Sequence, residues 1–222
     1  MGERRDEETM ASKYLHEEIY RGDDAIAKLG EPLVTICGAG ALGSHLADNL
    51  ARQGVRKLRL IDRDRVDEHN VSTQVYDAAD VGAWKVDVMR NRLFRSAEIE
   101  IDGVSKELGE RNARKLLKGS GIVLDTFDNS ASRQLVQQKC REHAIECLHV
   151  GLYADYCEVI WDKQYRVPND VAGDVCEYPL ARNLVLLAVA IASESLVRFV
   201  LDGERRNRSA TLGDFAVREL ES

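Results

Sequence analysis

A glycine-rich turn directly after an apolar segment is the feature that most constrains the fold of this chain. The apolar segment runs from Pro32 to Cys37, and the turn that follows is Gly38-Ala39-Gly40-Ala41-Leu42-Gly43. A G-x-G-x-x-G turn between a buried strand and a helix is typical of nucleotide-binding βαβ units. In such a turn we expect Gly38 to permit the tight bend, Gly40 to let the backbone approach a phosphate, and Gly43 to let helix and strand pack closely.

The residues after the turn complete a βαβ pattern. Leu42, Leu46 and Leu50 share one helical face, and Gly54 ends the predicted helix. A second apolar strand then ends at Asp62, roughly 20 residues after the turn, where a ribose-binding carboxylate belongs in such a unit. The pattern therefore predicts a bound nucleotide.

Strand and helix patterns continue to alternate along the chain without repeats. We expect further strands at residues 98–104, 121–125, 146–150, 156–161 and 211–217, and helices at 84–94, 106–118, 131–143 and 184–200. The strand at 156–161 is predicted to be antiparallel. The fold class is therefore α/β, with a Rossmann-like, doubly wound, mixed sheet.

The predicted domain organisation has two parts. Residues 1–30 form a charged N-terminal segment, disordered over its first ten residues and helical from 14 to 29. Residues 31–222 form a single domain, in which 162–180 is a long irregular crossover. A length of 222 residues with 44% hydrophobic content suits one such domain.

Composition excludes several classes of function. The net charge of −7 and the absence of a Lys/Arg run argue against a nucleic-acid partner. The charged N-terminus has no apolar core of a secretory signal, so we expect a cytoplasmic protein. Glu194 and Arg198 interrupt the most apolar stretch, which predicts a buried helix and no membrane role. The five cysteines form no C-x-x-C pair, so no structural zinc is expected.

Beyond the turn, the ordered motifs of the chain resemble those of the ThiF and MoeB superfamily, the adenylating enzymes that activate ubiquitin and its sulfur-carrier relatives. The motifs are Asp62-Arg63-Asp64-Arg65-Val66, Asn70-Val71-Ser72-Thr73-Gln74, Asp80-Val81-Gly82-Ala83-Trp84-Lys85, and Asp125-Thr126-Phe127-Asp128-Asn129 followed by Arg133. With the turn they cover roughly residues 31–135, which makes the resemblance far more specific than the glycines alone.

The resemblance implies attack of a C-terminal carboxylate on the α-phosphorus of ATP, and it implies roles for individual residues. Asp62 would hold the ribose hydroxyls, Lys85 would contact the phosphates, and Asp128 would hold Mg²⁺. The other nucleotide-binding residues implied are Asp64, Asn70, Gln74 and Asn129.

Each assignment has a simpler alternative. Taken singly, Lys85 could be a solvated helix residue. Asp128 and Asn129 could be only capping groups for the next helix. Asn70 fits a turn former. Arg133 either braces its loop through an ion pair or contacts ligand.

Two family arginines are missing from this chain. Thr73 stands where the family has the arginine of N-L-x-R-Q, and the family's N-terminal R-Q-I-like motif aligns best with Glu17-Glu18-Ile19. An arginine at a phosphoryl-transfer site can be worth about 10³ to 10⁵ in rate, so the loss matters. Arg21, Arg63 and Arg65 are the substitutes considered, and the sequence does not choose among them.

Cys176 lies in the crossover just before the last long helix, where thioester-forming family members carry a cysteine, notably the small activating enzyme of the ubiquitin-fold modifier pathway. A thiol near a helix N-terminus has its thiolate favoured. The alternatives are plain packing and the zinc-binding cysteines of other relatives.

The resulting hypothesis is ATP-dependent adenylation of a small ubiquitin-like, β-grasp protein at its C-terminal glycine, with transfer to Cys176 as a possible second step. The resemblance implies a homodimer, with a conjugating enzyme or a sulfur acceptor downstream. Two alternatives stay open. One is an NAD-dependent Rossmann oxidoreductase, and the other is a non-catalytic scaffold with a degenerate site.

Overall fold

The structure, a computed structural model, describes residues 12–168 and 179–220. Its centre is an eight-stranded sheet with helices on both faces. The strands are β1 (Leu33–Cys37), β2 (Lys57–Ile61), β3 (Asp102–Val104), β4 (Ile122–Asp125), β5 (Glu146–Tyr153), β6 (Tyr156–Trp161), β7 (Arg208–Thr211) and β8 (Val217–Glu219). The helices are α1 (Leu15–Arg21), α2 (Asp23–Leu29), α3 (Ala41–Arg52), α4 (Lys85–Ala97), α5 (Ala113–Leu117), α6 (Ser130–Glu142) and α7 (Arg182–Asp202).

The strand order across the sheet is β3-β2-β1-β4-β5-β6-β7-β8. The first five strands in this order are parallel, and β6, β7 and β8 are antiparallel. The order reverses between β1 and β4, which is the switch point where open α/β sheets bind ligands beyond the carboxyl ends of their strands. The predicted doubly wound mixed sheet is confirmed.

Two hydrophobic clusters cover the two faces of the sheet. The larger combines α3, α4 and α7 with one face, through residues such as Leu46, Met89 and Ala188. The smaller lies under α5 and α6 and includes Cys37, Val136 and Cys147. The central strands β1 and β4 are covered on both faces, and all of their residues except the half-buried Leu33 are buried, as their continuous apolar runs predicted.

Helix α7 is long and apolar enough to cross a membrane by length and composition alone, with a mean hydropathy of 2.2 over its most apolar window. It packs against α3, β5 and β6 in this fold, and residues such as Leu184, Ala188 and Leu196 are buried. Its apolar character therefore serves the core.

The N-terminal segment differs from the single helix predicted over 14–29. Gly22 has φ +91° and separates two short helices, α1 and α2. Glycine adopts this conformation at little cost, so it breaks the helix. Ile26 and Leu29 of α2 are buried against Val197 of α7, which attaches the segment to the rest of the described chain.

Two further predicted elements are wrong in extent. The helix predicted at 106–118 is only α5, because Gly109 and Asn112 form a local turn in which the Gly109 N–H donates to the Asn112 side chain. The strand predicted at 211–217 is a hairpin of β7 and β8, because the Asp214 carboxylate accepts hydrogen bonds from Thr211 and the Ala216 N–H and closes a turn there.

The strand predicted at 98–104 is also shorter, since only β3 pairs with β2. Helix α4 extends to Ala97 and ends at Glu98, which has φ +54°. Of the predicted crossover, residues 162–168, 179 and 180 are described and form no helix, while 169–178, with Cys176, lie outside the described residues.

Candidate functional site

The glycine turn leads from β1 into α3 at the switch point of the sheet. Gly38 has φ +103°, and a Cβ there would lie 3.0 Å from the Thr126 hydroxyl. At Gly43 a Cβ would lie 1.9 Å from the carbonyl oxygen of Gly38. Both positions therefore require glycine for reasons internal to the protein, namely the bend and the close approach of helix to turn.

Gly40 has no such internal reason to be glycine. Its φ is −76°, which any residue adopts, and a Cβ would meet nothing within 4 Å. It precedes α3, whose N-terminus has no side-chain cap, so no side chain satisfies the first-turn N–H groups there. A glycine that the protein does not need, at a helix N-terminus, fits close approach by an anion such as a phosphate.

Asp62 lies directly beyond β2 and is tied to the turn. Its Oδ2 accepts a hydrogen bond of 2.6 Å from the Ala39 N–H, and its Oδ1 accepts one of 2.7 Å from the Asp64 N–H. Tyr76 holds the same residue of the turn, because its hydroxyl donates to the Ala39 carbonyl at 2.7 Å. Each carboxylate oxygen retains a lone pair, so ribose hydroxyls could still be held, and that role stays a prediction.

Lys85 begins α4 and is only 7% exposed, so the alternative of a solvated helix residue is wrong. Its Nζ lies 3.5 Å from Asp64 Oδ2, and its backbone N–H donates to the Asp64 carbonyl. Burial raises the pKa of Asp62, and the charge of Lys85 with the two N–H donors acts in the opposite direction. A desolvated cation therefore lies beside both carboxylates of the D-x-D motif.

The loop after the D-x-D motif contains a short 3₁₀ helix, Glu68–Ser72. Asn70 is buried there, and its Oδ1 accepts from the Asp67 N–H at 3.0 Å. This contact supports the turn-forming alternative, and it leaves the amide N–H₂ and one lone pair of Oδ1 for a nucleotide. Gln74 follows, and its buried Oε1 has no hydrogen-bond partner among the described residues.

Asp128 and Asn129 follow β4, across the switch point from the turn. Asn129 caps α6, since its Oδ1 accepts from the Ser132 N–H at 2.9 Å, and its Nδ2 donates to Asp128 Oδ1 at 3.3 Å. Asp128 itself is exposed. Thr126 joins the two loops by donating from Oγ1 to the Cys37 carbonyl at 2.8 Å. The capping role of Asn129 is thus present, and the carboxylate of Asp128 faces solvent.

The donor set at Asp128 fits Mg²⁺ held mainly by water and phosphate. No group of three or more His, Cys, Asp or Glu side chains arranged for a metal occurs within residues 12–168 and 179–220. Mg²⁺ in nucleotide sites commonly takes one or two carboxylates, substrate phosphates and several waters. A single exposed carboxylate such as Asp128 is compatible with that coordination.

The three arginines considered as substitutes all have partners away from the turn. Arg21 pairs with Glu17 and Glu194, each at 2.7 Å. Arg63 lies 2.8 Å from a carboxylate oxygen of Glu107, and its Nε lies 3.8 Å from Asp64 in the candidate site. The third substitute, Arg65, donates to the Gly82 carbonyl at 2.6 Å and stacks on the ring of Trp84.

A buried polar network beside the site was missed from the sequence. His149 on β5 lies between two carboxylates, with Nδ1 2.8 Å from Asp125 Oδ2 and Nε2 3.4 Å from Asp162 Oδ1. It stacks on Tyr165 at a ring separation of 3.7 Å. A histidine within an otherwise apolar strand pattern could have indicated a buried polar network here.

Arg133 belongs to the same network. It donates to the Tyr165 hydroxyl and to the Val150 carbonyl, both at 2.9 Å, and it lies 3.8 Å from Asp125. Of the two alternatives for Arg133, the structure supports the brace. It ties α6 to β5 below the Asp128 loop.

The network predicts a pH dependence of stability. Burial alone would lower the pKa of His149, but hydrogen bonds with Asp125 and Asp162 outweigh it and the pKa is raised. A raised folded-state pKa stabilises the fold fully below the unfolded value of about 6.5, and the contribution is lost as pH rises through the folded-state pKa. We expect His149→Gln to lose about 1–3 kcal/mol of unfolding free energy near pH 6 and less at higher pH.

The measurement is urea unfolding at a series of pH values, with exposed His143→Gln as the matched control. The control should keep the pH slope of the wild-type protein. An unchanged slope in His149→Gln would contradict the assignment.

The family model described as "ThiF family" matches residues 12–168. Among curated relatives, a probable molybdopterin-synthase adenylyltransferase of Gracilaria tenuistipitata var. liui is 32% identical over 54% of this chain and 34% of its own length. The sulfur carrier protein ThiS adenylyltransferase of Bacillus subtilis is 28% identical over 66% of this chain and 46% of its own. A tRNA threonylcarbamoyladenosine dehydratase of Bacillus subtilis is 28% identical over 61% and 55%.

The chain thus spans about a third to a little over half of the length of these curated relatives. Solved structures agree on the fold. Escherichia coli MccB with ATP superposes with a TM-score of 0.78 at 16% identity, covering 95% of this chain and 71% of that one. A structure of PaaA superposes with a TM-score of 0.74 at 19% identity, covering 100% and 77%.

Proposed function

The chain belongs to the ThiF family, and on that premise we propose that it uses ATP to adenylate the C-terminal glycine of a small ubiquitin-like, β-grasp protein. The observation that carries the proposal is Lys85, a buried cation beside Asp62 and Asp64 next to the glycine turn. Curated relatives named as adenylyltransferases, one of them acting on the sulfur carrier ThiS, support the same reaction.

In the proposed reaction a carboxylate oxygen of the carrier attacks the α-phosphorus of ATP. A new phosphorus–oxygen bond forms, the bond to the bridging oxygen breaks, and pyrophosphate leaves. Lys85 stabilises the negative charge that grows during this transfer, because a buried cation acts more strongly than a solvated one. The open backbone at Gly40 holds phosphate oxygens, and Asp62 orients the ribose.

Asp128 would hold Mg²⁺, which neutralises phosphate charge when bound. Asn129 keeps the Asp128 carboxylate in place through its Nδ2 hydrogen bond. The side chains of Asn70 and Gln74 complete the nucleotide site in this proposal, since the buried Oε1 of Gln74 has no partner among the described residues.

The alternatives are less well supported. An NAD-dependent oxidoreductase shares the turn and Asp62 but gives no reason to bury Lys85. Some relatives are named tRNA threonylcarbamoyladenosine dehydratases, yet a net charge of −7 gives no support to a tRNA substrate. A degenerate scaffold is the stronger alternative, because Thr73 replaces an arginine.

We expect ATP with Mg²⁺ to raise the melting temperature of the protein, since a ligand that binds only the folded state stabilises it. NAD should give no shift. We further expect ATP–pyrophosphate exchange that requires a β-grasp protein ending in glycine, for which a small protein encoded beside this chain is the first candidate. A shift with NAD alone would refute the proposal, and ATP binding with no exchange above a Lys85→Ala control would favour the scaffold.

The second step of the proposal is transfer to Cys176. Its thiolate would attack the carbonyl carbon of the acyl-adenylate, forming a thioester while AMP leaves. The support is its position in the sequence just before α7.

We expect a carrier adduct that reducing agent removes and that Cys176→Ala abolishes, while ATP–pyrophosphate exchange is kept. The adduct is measured on non-reducing gels. Its persistence in Cys176→Ala would exclude this step.

The proposal also includes a cytoplasmic homodimer that passes the carrier to a conjugating enzyme or a sulfur acceptor. Sedimentation equilibrium tests the dimer directly.

A further inference from the structure

An arginine from α7 reaches the loop that contains Thr73. Arg182 is the first residue of α7, and its Nη1 donates to the carbonyl oxygens of Ser72 at 3.3 Å and Gln74 at 3.2 Å. These two carbonyls flank Thr73. The guanidinium therefore lies at the backbone of the one residue where the motif lacks its arginine.

The same loop lies along the first turns of α3. His45 Nε2 is 3.1 Å from the Thr73 carbonyl oxygen, and the Val75 N–H donates to Ser44 Oγ at 3.4 Å. His45 is five residues beyond Gly40, which corresponds to about 7.5 Å along a helix axis. Arg182 therefore lies beside a loop that contacts α3, about one and a half turns along the helix from the end at which Gly40 leaves room for phosphate.

The guanidinium of Arg182 has donors that none of the described residues uses. Arg182 is exposed, and within the described part of the chain no carboxylate lies within the 4.0 Å of an ion pair. Both of these hydrogen bonds to the loop come from Nη1, and Nε and Nη2 have no hydrogen-bond acceptor within residues 12–168 and 179–220. By contrast, Arg21 and Arg63 are paired with carboxylates.

His45 does not compete for this role. Burial and the nearby charge of Arg182 lower the pKa of His45, which favours the neutral imidazole. The charge of Arg92 also acts on His45, but Arg92 is paired with Asp48 at 3.3 Å, whereas Arg182 contacts the loop itself.

We propose that Arg182 binds the terminal phosphates of ATP and the leaving pyrophosphate, in place of the loop arginine that Thr73 lacks. The inference rests on the proposed function, because it takes ATP as the ligand. Arginine suits the role since its planar fork of donors matches two phosphate oxygens at once. A long side chain on a neighbouring helix thereby supplies the charge that the loop has lost.

The test compares ATP with AMP by titration calorimetry, since AMP lacks the terminal phosphates. We expect Arg182→Ala to weaken ATP binding by about 10- to 100-fold and to leave AMP binding unchanged. Arg182→Lys should recover part of the loss. The matched control is Arg95→Ala, an exposed arginine that also donates to a backbone carbonyl and should change neither affinity.

A second variant separates phosphate binding from loop support. Thr73→Arg in the Arg182→Ala background should restore ATP affinity to within about 10-fold of wild type. Equal losses for ATP and AMP, no loss in Arg182→Ala, or no rescue by Thr73→Arg would each overturn the inference. If the wild-type protein binds no ATP, the proposed function fails, whereas normal ATP binding that ignores Arg182 removes this inference alone.

Discussion

Replacing Lys85 by alanine is expected to lower carrier-dependent ATP–pyrophosphate exchange by about 100- to 1000-fold, the usual cost of losing one preorganised group that stabilises transition-state charge. Lys85 is 7% exposed and lies 3.5 Å from Asp64, so its charge acts in a partly desolvated site. Exchange of labelled pyrophosphate into ATP measures the effect.

The control is Lys115→Ala, an exposed lysine on α5 with no ion pair to a described residue. It should exchange like wild type. Because alanine also removes the buried cation next to Asp64, the melting temperature is measured in parallel. If Lys85→Ala keeps its fold and exchanges within tenfold of wild type, Lys85 does not stabilise the transfer.

Alanine substitutions at two glycines of the turn are expected to give opposite phenotypes. Gly43→Ala should lose about 3 kcal/mol or more of unfolding free energy, because its Cβ would lie 1.9 Å from a backbone oxygen that cannot yield. Gly40→Ala should change unfolding free energy by less than about 0.5 kcal/mol, since its Cβ meets nothing within 4 Å. Yet Gly40→Ala should weaken ATP binding by about tenfold or more, because the methyl group occupies the space of a phosphate.

Urea unfolding and ATP titration of both variants measure the contrast, so each variant is the other's control. A destabilised Gly40→Ala would show that this glycine serves the fold after all. A stable Gly40→Ala that binds ATP normally would mean that no phosphate lies against the turn.

Much of the fold was predictable because it rests on local patterns. Strands β1 and β4 are largely apolar runs, and the three glycines mark one turn, so β1, α3 and β2 follow from periodicity and spacing. Errors arose where short-range hydrogen bonds compete with periodicity. The turn closed by Asp214 split one predicted strand into a hairpin, and φ +91° at Gly22 split one predicted helix.

The motifs of the candidate site could be recognised in the sequence, but the contacts that hold its residues in place could not. Asp62 was proposed from its spacing after the turn, and Lys85 and Asn129 from the family resemblance; their nucleotide-binding roles stay predictions, while their burial and partners come from tertiary structure. The contacts of His149 with Asp125 and Asp162 join residues from β4, β5 and the chain after β6. No local pattern predicts such contacts, because each partner is distant in sequence. The contact of Arg182 with the Thr73 loop is of the same kind.

The hydroxyl of Thr126 has a consequence for how a ligand would be received. By bonding the Cys37 carbonyl at 2.8 Å and the Gly38 carbonyl at 3.2 Å, it fastens the loop of Asp128 to the glycine turn. The glycine turn and the Asp128 loop are therefore held together before a nucleotide binds, so binding would spend little free energy on ordering them. Discrimination between nucleotides would then depend on the shape of the nucleotide, since two loops held together in this way adapt poorly to a misfit ligand.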